Sequence, residues 1–201
     1  MMKDNREYRS MELRIRQRDD EERSYMVEGY ASTFDPYVLF TEDGIDYKEQ
    51  ILPTAFDDAD LSDVVFRIDH EGPVYARTSA GTVTLDVDEG GLHNITDLSR
   101  TERSRDIFEE IEAGNYPQMS FAFIVADDGD EYDRKTHTRT ITRIAKVFDI
   151  SPVSFPANPN TSLSVMTRDY FNGVIEAEKA ERLEREKREV QKKKLRILAQ
   201  I

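Results

Sequence analysis

The chain has 201 residues and no cysteine, which excludes a disulfide framework, a thiol nucleophile and a Cys-ligated zinc site and fits a reducing compartment. Its formal net charge of −13 is unevenly placed: residues 176–201 hold nine Lys/Arg against six Asp/Glu, so the tail is +3 and the rest −16. Such a body repels a phosphate backbone, and the longest apolar run, residues 121–126, is far too short to cross a bilayer; neither nucleic acid nor a membrane is an expected partner.

The length suits one domain with a core plus an appendage. Met11, Leu13 and Ile15 alternate with Glu12, Arg14 and Arg16, the pattern of a half-buried strand, and a second strand is expected over 25–33. The all-charged stretch 18–23 joins them as a solvated turn. Residues 35–50 read as an irregular loop with a short strand at 38–40, and PTAFDDA then places a proline at the start of a brief helical turn.

From Val64 to His70 the pattern returns to period two, with Val64, Phe66, Ile68 and His70 on one face and His70 at the strand end. Strands over 82–87 and 92–98 flank Asp88-Glu89-Gly90-Gly91 as a hairpin, whose glycines can take positive φ. Ser99 and Glu102 stand in capping-box spacing, and Ile107, Phe108 and Ile111 form an apolar stripe before Gly114, so a helix is expected over 102–113. Strands over 118–126 and 139–150 follow, separated by a polar, mobile loop at 127–137.

Pro152, Pro156 and Pro159 close the body, and from residue 169 the composition is almost wholly helix-forming. Glu178/Arg182, Glu181/Arg185 and Glu184/Arg188 lie in the favourable i,i+4 orientation. Leu183, Val190 and Ile197 recur every seven residues, but Lys187 and Lys194 interrupt the accompanying seam, so homo-oligomerisation through this helix stays open. The expected division is 1–168 for the body and 169–201 for a charged helical tail.

With thiols absent, the chemistry is left to oxygen and nitrogen groups, among which the serines are weighed by context. In QMSFAF, Met119, Phe121 and Phe123 point one way while Ser120 and Ala122 point the other, leaving the Ser120 hydroxyl among small neighbours on a face with room for a substrate. Serine needs a base within hydrogen-bond reach, and imidazole suits because its ordinary pKa is near 6.5. Of the three histidines, His70 ends an apolar-faced strand between Asp69 and Glu71, His93 lies in a strand beside Asn94, and His137 lies in the charged run DRKTHTRT. His70 is the best placed; by residue pattern alone it could also be a partly buried histidine satisfied by a neighbouring carboxylate. No HExxH or comparable ligand spacing occurs, so neither metal nor cofactor is expected.

The order of segments EQILPTAFDDA, VVFRIDH, a GGL hairpin, IFEEIEAGNYPQMSFAF and KVFDISPVSFPANPNT, spanning residues 11–165, resembles the prohead protease family of HK97-like phages, distantly akin in fold to the herpesvirus capsid-maturation proteases. The resemblance implies an α+β fold, a mostly antiparallel, β-barrel-like body with a few surrounding helices, ahead of the long C-terminal helix. It places the family's histidine on His70, as general base, and its serine on Ser120, as nucleophile. The acid before the Ser-x-Val-x-x-Pro-Ala-Asn motif falls on Asp149, which would orient the imidazole. His137 is the alternative third member, because the herpesvirus relatives use a second histidine. An aspartate at a strand end can also simply cap the following turn.

Asp69 stands where the family commonly has Asn, Ala122 where it has Gly within a Ser-Ile-Gly-Phe stretch, and Thr54 replaces a Gly; no reacting group is lost. The implied function is a serine endopeptidase, packaged inside the procapsid in the host bacterial cytoplasm. It would cleave the scaffolding segment of the major capsid protein and then itself, the segment 169–176 being the expected self-cleavage region. The alternative is a non-enzymatic internal scaffold or assembly chaperone that retains the fold.

Overall fold

The computed structural model describes residues 6–14, 25–154 and 165–198. The chain divides into two compact units, Met1–Leu163 and Ser164–Ile201. In the first, β1 (Glu7–Arg14) starts earlier than the alternation at Met11 suggests. It pairs antiparallel with β2 (Met26–Thr33) through Leu13↔Gly29 and Arg14↔Glu28, as an opening strand pair should. Ile15, Arg16 and the charged turn at 18–23 lie outside the described residues.

Where an irregular loop was expected, the chain forms a hairpin of β3 (Tyr37–Glu42) and β4 (Ile45–Ile51). Asp43 and Gly44 between them have φ of 52° and 79°, the paired positive values of a two-residue type I′ loop, for which Asp-Gly is a strong signal. A 3-10 turn at Pro53–Phe56 occupies the place of the brief helical turn. The expected strand at 64–70 is shorter: β5 (Val65–Ile68) ends before His70, and an unanticipated antiparallel partner, β6 (Glu71–Arg77), begins just after it.

Next come β7 (Val83–Val87) and β8 (Gly91–Asp97), the expected hairpin. Of its two glycines only Gly91 has positive φ, at 150°, and its missing Cβ is needed, since one would lie 1.8 Å from the Ser32 carbonyl oxygen. The helix α1 (Glu102–Glu112) is capped by Thr101, whose side chain accepts from the Ser104 amide at 3.1 Å, rather than by Ser99; it stops before Gly114, φ 83°. After β9 (Gln118–Val125), the region expected as a mobile polar loop is a small hairpin of β10 (Asp130–Asp133) and β11 (Thr138–Ile141). The expected strand at 139–150 is thus split, its second part being β12 (Ile144–Val153).

Eight strands form one continuous pairing in the order β6-β5-β12-β9-β1-β2-β8-β7, and four form a second sheet in the order β10-β11-β4-β3. The pairs are antiparallel except β11 with β4 and β12 with β5. β1 is the hinge of the large array: residues 7–12 pair with β9 and residues 13–14 with β2, so the eight strands split into two sheets that share it. The fold is α+β and mostly antiparallel as expected, but no closed barrel forms among the described residues, because β6 and β7 end the array instead of pairing with each other. In the first unit α1 and two 3-10 turns stand in place of the few surrounding helices. No described helix is long and apolar enough to cross a membrane. The second unit contains α2 (Val165–Leu198), a continuous helix of 34 residues with Leu183 and Val190 exposed.

The core gathers Phe66, Phe108, Met119, Phe121, Phe123 and Ile150, all at most 2 % exposed. On β1 the residues opposite Phe123 and Phe121 are Glu7 and Arg9, so alternation directs these two charged side chains to the core face. They are neutralised there. Arg9 reaches Glu49 of β4 through Nε and Nη2 at 2.5 and 2.6 Å and Glu7 at 2.8 Å; Arg139 of β11 holds Glu7 at 2.8 and 3.0 Å and Asp130 at 2.6 Å. Burial disfavours charge on Arg9, but Glu49, Tyr37 and Glu7 outweigh it and hold its pKa well above the ordinary arginine value. This network ties β1 to the four-stranded sheet.

Candidate active site

His70 lies in the two-residue turn between β5 and β6, flanked by the pair Ile68↔Glu71. Asp69 and His70 have φ of 49° and 61°, a conformation costing a non-glycine residue about 1 kcal/mol or more and persisting only where neighbours impose it. Here they do. Asp69 donates its amide to the Pro152 carbonyl at 3.0 Å, and its carboxylate accepts from the amide and hydroxyl of Ser154 at 2.9 to 3.1 Å. Arg67 Nη1 donates to the His70 carbonyl at 3.2 Å, and the Tyr8 ring meets the imidazole edge-on with centroids 4.5 Å apart. Asn and Asp are the residues that best tolerate this backbone conformation, a physical reason why Asp69 can stand where the family commonly has Asn.

Ser120 and Ala122 share one face of β9, opposite the core-facing Met119, Phe121 and Phe123, as alternation predicts. That face is not open: Ser120 is 1 % and Ala122 0 % exposed, so the expected room for a substrate is filled in the free chain. On β12, Val147 pairs with Phe123 on the core face, yet Asp149 pairs with Ala122 and Ser151 with Ser120 on the other. Strict alternation would put 147 and 149 on one face. The extra residue at Phe148 is a bulge that changes the phase of the strand, and it alone delivers Asp149 to the serine side.

The three side chains converge. His70 Nδ1 lies 2.6 Å from Asp149 Oδ1, and His70 Nε2 lies 2.7 Å from Ser120 Oγ. A carboxylate only accepts, so Nδ1 carries the hydrogen and donates to Asp149; Nε2 then presents its lone pair to the Ser120 hydroxyl. Ser151 donates a further hydrogen bond to Asp149 Oδ1 at 2.7 Å. A hydroxyl so placed can lose its proton to the imidazole as it attacks an acyl carbon, while the buried carboxylate stabilises the imidazolium.

The other histidines sit elsewhere. His137, φ 51°, occupies the β10–β11 turn with Nδ1 3.2 Å from the Tyr132 hydroxyl and its ring against Tyr47. His93 pairs with Glu28 at 3.0 Å and packs on Tyr30. Tyr8, Ser151 and Arg67 were missed by sequence reasoning; only the tertiary arrangement brings Tyr8 and Arg67 to His70 and sets Ser151 opposite Ser120. Among the described residues no cluster of three or more His, Cys, Asp or Glu side chains could hold a metal ion.

The site is a Ser-His-Asp hydrogen-bond chain assembled from β9, β12 and the β5–β6 turn of an α+β protein. The sequence profile described as caudovirus prohead serine protease matches residues 11–174, and the chain belongs to that family. No curated protein and no solved structure matches it.

Proposed function

We propose that the chain is a capsid-maturation endopeptidase in which Ser120 is the nucleophile, His70 the general base and Asp149 the residue that orients the imidazole and stabilises the imidazolium. The observation that carries this reading is the pair of short contacts from one imidazole to Ser120 and Asp149. Ser120 Oγ attacks the scissile carbonyl as His70 Nε2 takes its proton. The tetrahedral adduct then collapses, and the imidazolium returns that proton to the departing amine. Water then gives a proton to His70 as it attacks the acyl-enzyme, and the second adduct expels Ser120 Oγ, which takes that proton back and releases the carboxylic acid product.

Family membership supports a place inside the procapsid, in the host bacterial cytoplasm, with the scaffolding segment of the major capsid protein as substrate and the chain itself as a second one. Since Ser120 is 1 % exposed, a peptide reaches it only after the side chains above it move, which suits an enzyme that acts after assembly. Self-cleavage within 169–176 requires local unwinding of α2, because those residues are helical.

Co-expression with the capsid protein of its phage tests the reading. Intact-mass measurement should show both chains shortened with the wild type and both full length with Ser120→Ala. If the wild type leaves both chains intact, the chain is not this protease. Covalent capture of Ser120 by a fluorophosphonate distinguishes an enzyme from an inactive scaffold of the same fold.

A further inference from the structure

Arg67 takes no part in the hydrogen bonds from Ser120 to Asp149, yet it shares their face of the sheet. β5 runs parallel to β12 with Asp149 beside Val65 and Ile150 beside Phe66. Phe66 and Ile150 are both core residues at 0 % exposure, so Val65 and Arg67 lie on the opposite face, with Asp149 and Ser151.

The guanidinium there is half used. Nη1 donates to the His70 carbonyl, while Nε is buried and has no hydrogen-bond partner, the one side-chain polar atom in that state among the described residues. A buried donor without an acceptor is unfavourable, and in native structures such a group calls for an explanation. The idle edge, Nε with Nη2, is the one this protein uses elsewhere for carboxylates. Arg9 grips Glu49 through Nε and Nη2 at 2.5 and 2.6 Å, and Arg77 grips Asp63 through the same two atoms at 3.0 and 2.5 Å. Although the body carries far more carboxylates than cations, none of those described is placed on Arg67.

We propose that Arg67 determines specificity: its Nε/Nη2 edge receives an aspartate or glutamate side chain of the substrate close to the scissile bond. β12 separates β5 from β9, and neighbouring strands lie about 4.8 Å apart, so the Arg67 backbone stands roughly 10 Å from that of Ser120. That span is bridged by the arginine and a glutamate one to three residues from the cleaved bond. Nε and the Ser120 hydroxyl are both covered in the free chain, so a peptide engages either only after the side chains above it move. The assignment rests on the proteolytic reading above.

The cleavage sites produced by co-expression with the capsid protein supply the test. Each should have an Asp or Glu within about three residues of the cut, and Glu→Gln there should slow processing by about 10- to 100-fold. A Lys in that position should be refused by the wild type and accepted by Arg67→Glu. Sites without a nearby acid, equal rates for Glu and Gln substrates, or an Arg67→Glu enzyme that keeps the acidic preference would each overturn the assignment while leaving the protease reading intact. A wild type that processes nothing overturns both. The Glu-against-Gln comparison uses the unaltered enzyme, so it stands even if the Arg67 variants do not fold; loss of the Arg67 contact to His70 alone would slow acidic and neutral substrates equally.

Discussion

Ser151, directly across the ladder from Ser120, donates its hydroxyl hydrogen to Asp149 Oδ1 at 2.7 Å, the same oxygen that faces His70 Nδ1. In the proposed mechanism this second donor keeps the carboxylate pointed at the imidazole. Asp149→Asn can present an amide N–H to His70 and so favour the wrong tautomer; processing of the capsid protein should fall by about 10³- to 10⁴-fold with the fold retained. Ser151→Ala should cost about tenfold or less, since His70 still holds Asp149. Time courses of capsid-protein cleavage measure both.

The turn that carries His70 is held from outside itself, so its supports should be separable from the reacting groups. His70→Ala should lower the rate by about 10²- to 10⁴-fold. Asp69→Asn, which keeps an acceptor for Ser154 and tolerates positive φ, should stay near wild type, whereas Asp69→Val should lose most activity while circular dichroism stays unchanged.

Breaking the buried charge network on one side leaves an uncompensated ion between the sheets. Glu49, 0 % exposed, accepts from Arg9, Arg139 and Tyr37. Glu49→Leu should therefore destabilise the first unit by about 3 to 5 kcal/mol in denaturant unfolding, with β1, and hence Tyr8, the element most affected.

Two glycines should respond very differently to alanine. At Gly91 a Cβ would sit 1.8 Å from the Ser32 carbonyl oxygen, so the β2–β8 pairing must separate and the loss should exceed about 3 kcal/mol. At Gly44 a Cβ meets nothing within 4 Å, and only its φ of 79° is unfavourable, about 1 kcal/mol. Thermal unfolding of the two variants makes the comparison.

Alkaline pH should weaken the fold through Tyr37. Burial, then the negative charge of Glu49, pushes its phenol well above the ordinary tyrosine value. Above about pH 10 the unfolded chain has lost this proton while the folded chain retains it, so unfolding releases a proton and stability falls as pH rises. Tyr37→Phe should remove that part of the alkaline decline in melting temperature.

Much of this was readable from residue order alone. Alternation along QMSFAF separates Ser120 from the core phenylalanines, the stripe Ile107, Phe108 and Ile111 marks α1, and the ordered motifs select Ser120, His70 and Asp149 as candidates. The first two are local patterns, set by the period of a strand or helix and by which side chains water excludes; the third is what the resemblance to the prohead proteases implies. Tertiary structure decided the rest: that His70 sits in a positive-φ turn, that the Phe148 bulge turns Asp149 toward the serine, and that Glu7, Arg9, Glu49 and Arg139 are buried. Period-two reading assumes unbroken alternation and assigns charges to solvent. A bulge changes the phase of a strand through its partner, and a buried ion is acceptable only because a counter-ion arrives from a distant part of the chain. Neither is a property of the segment itself, which is why the serine and the histidine could be named from the sequence while the geometry joining them could not.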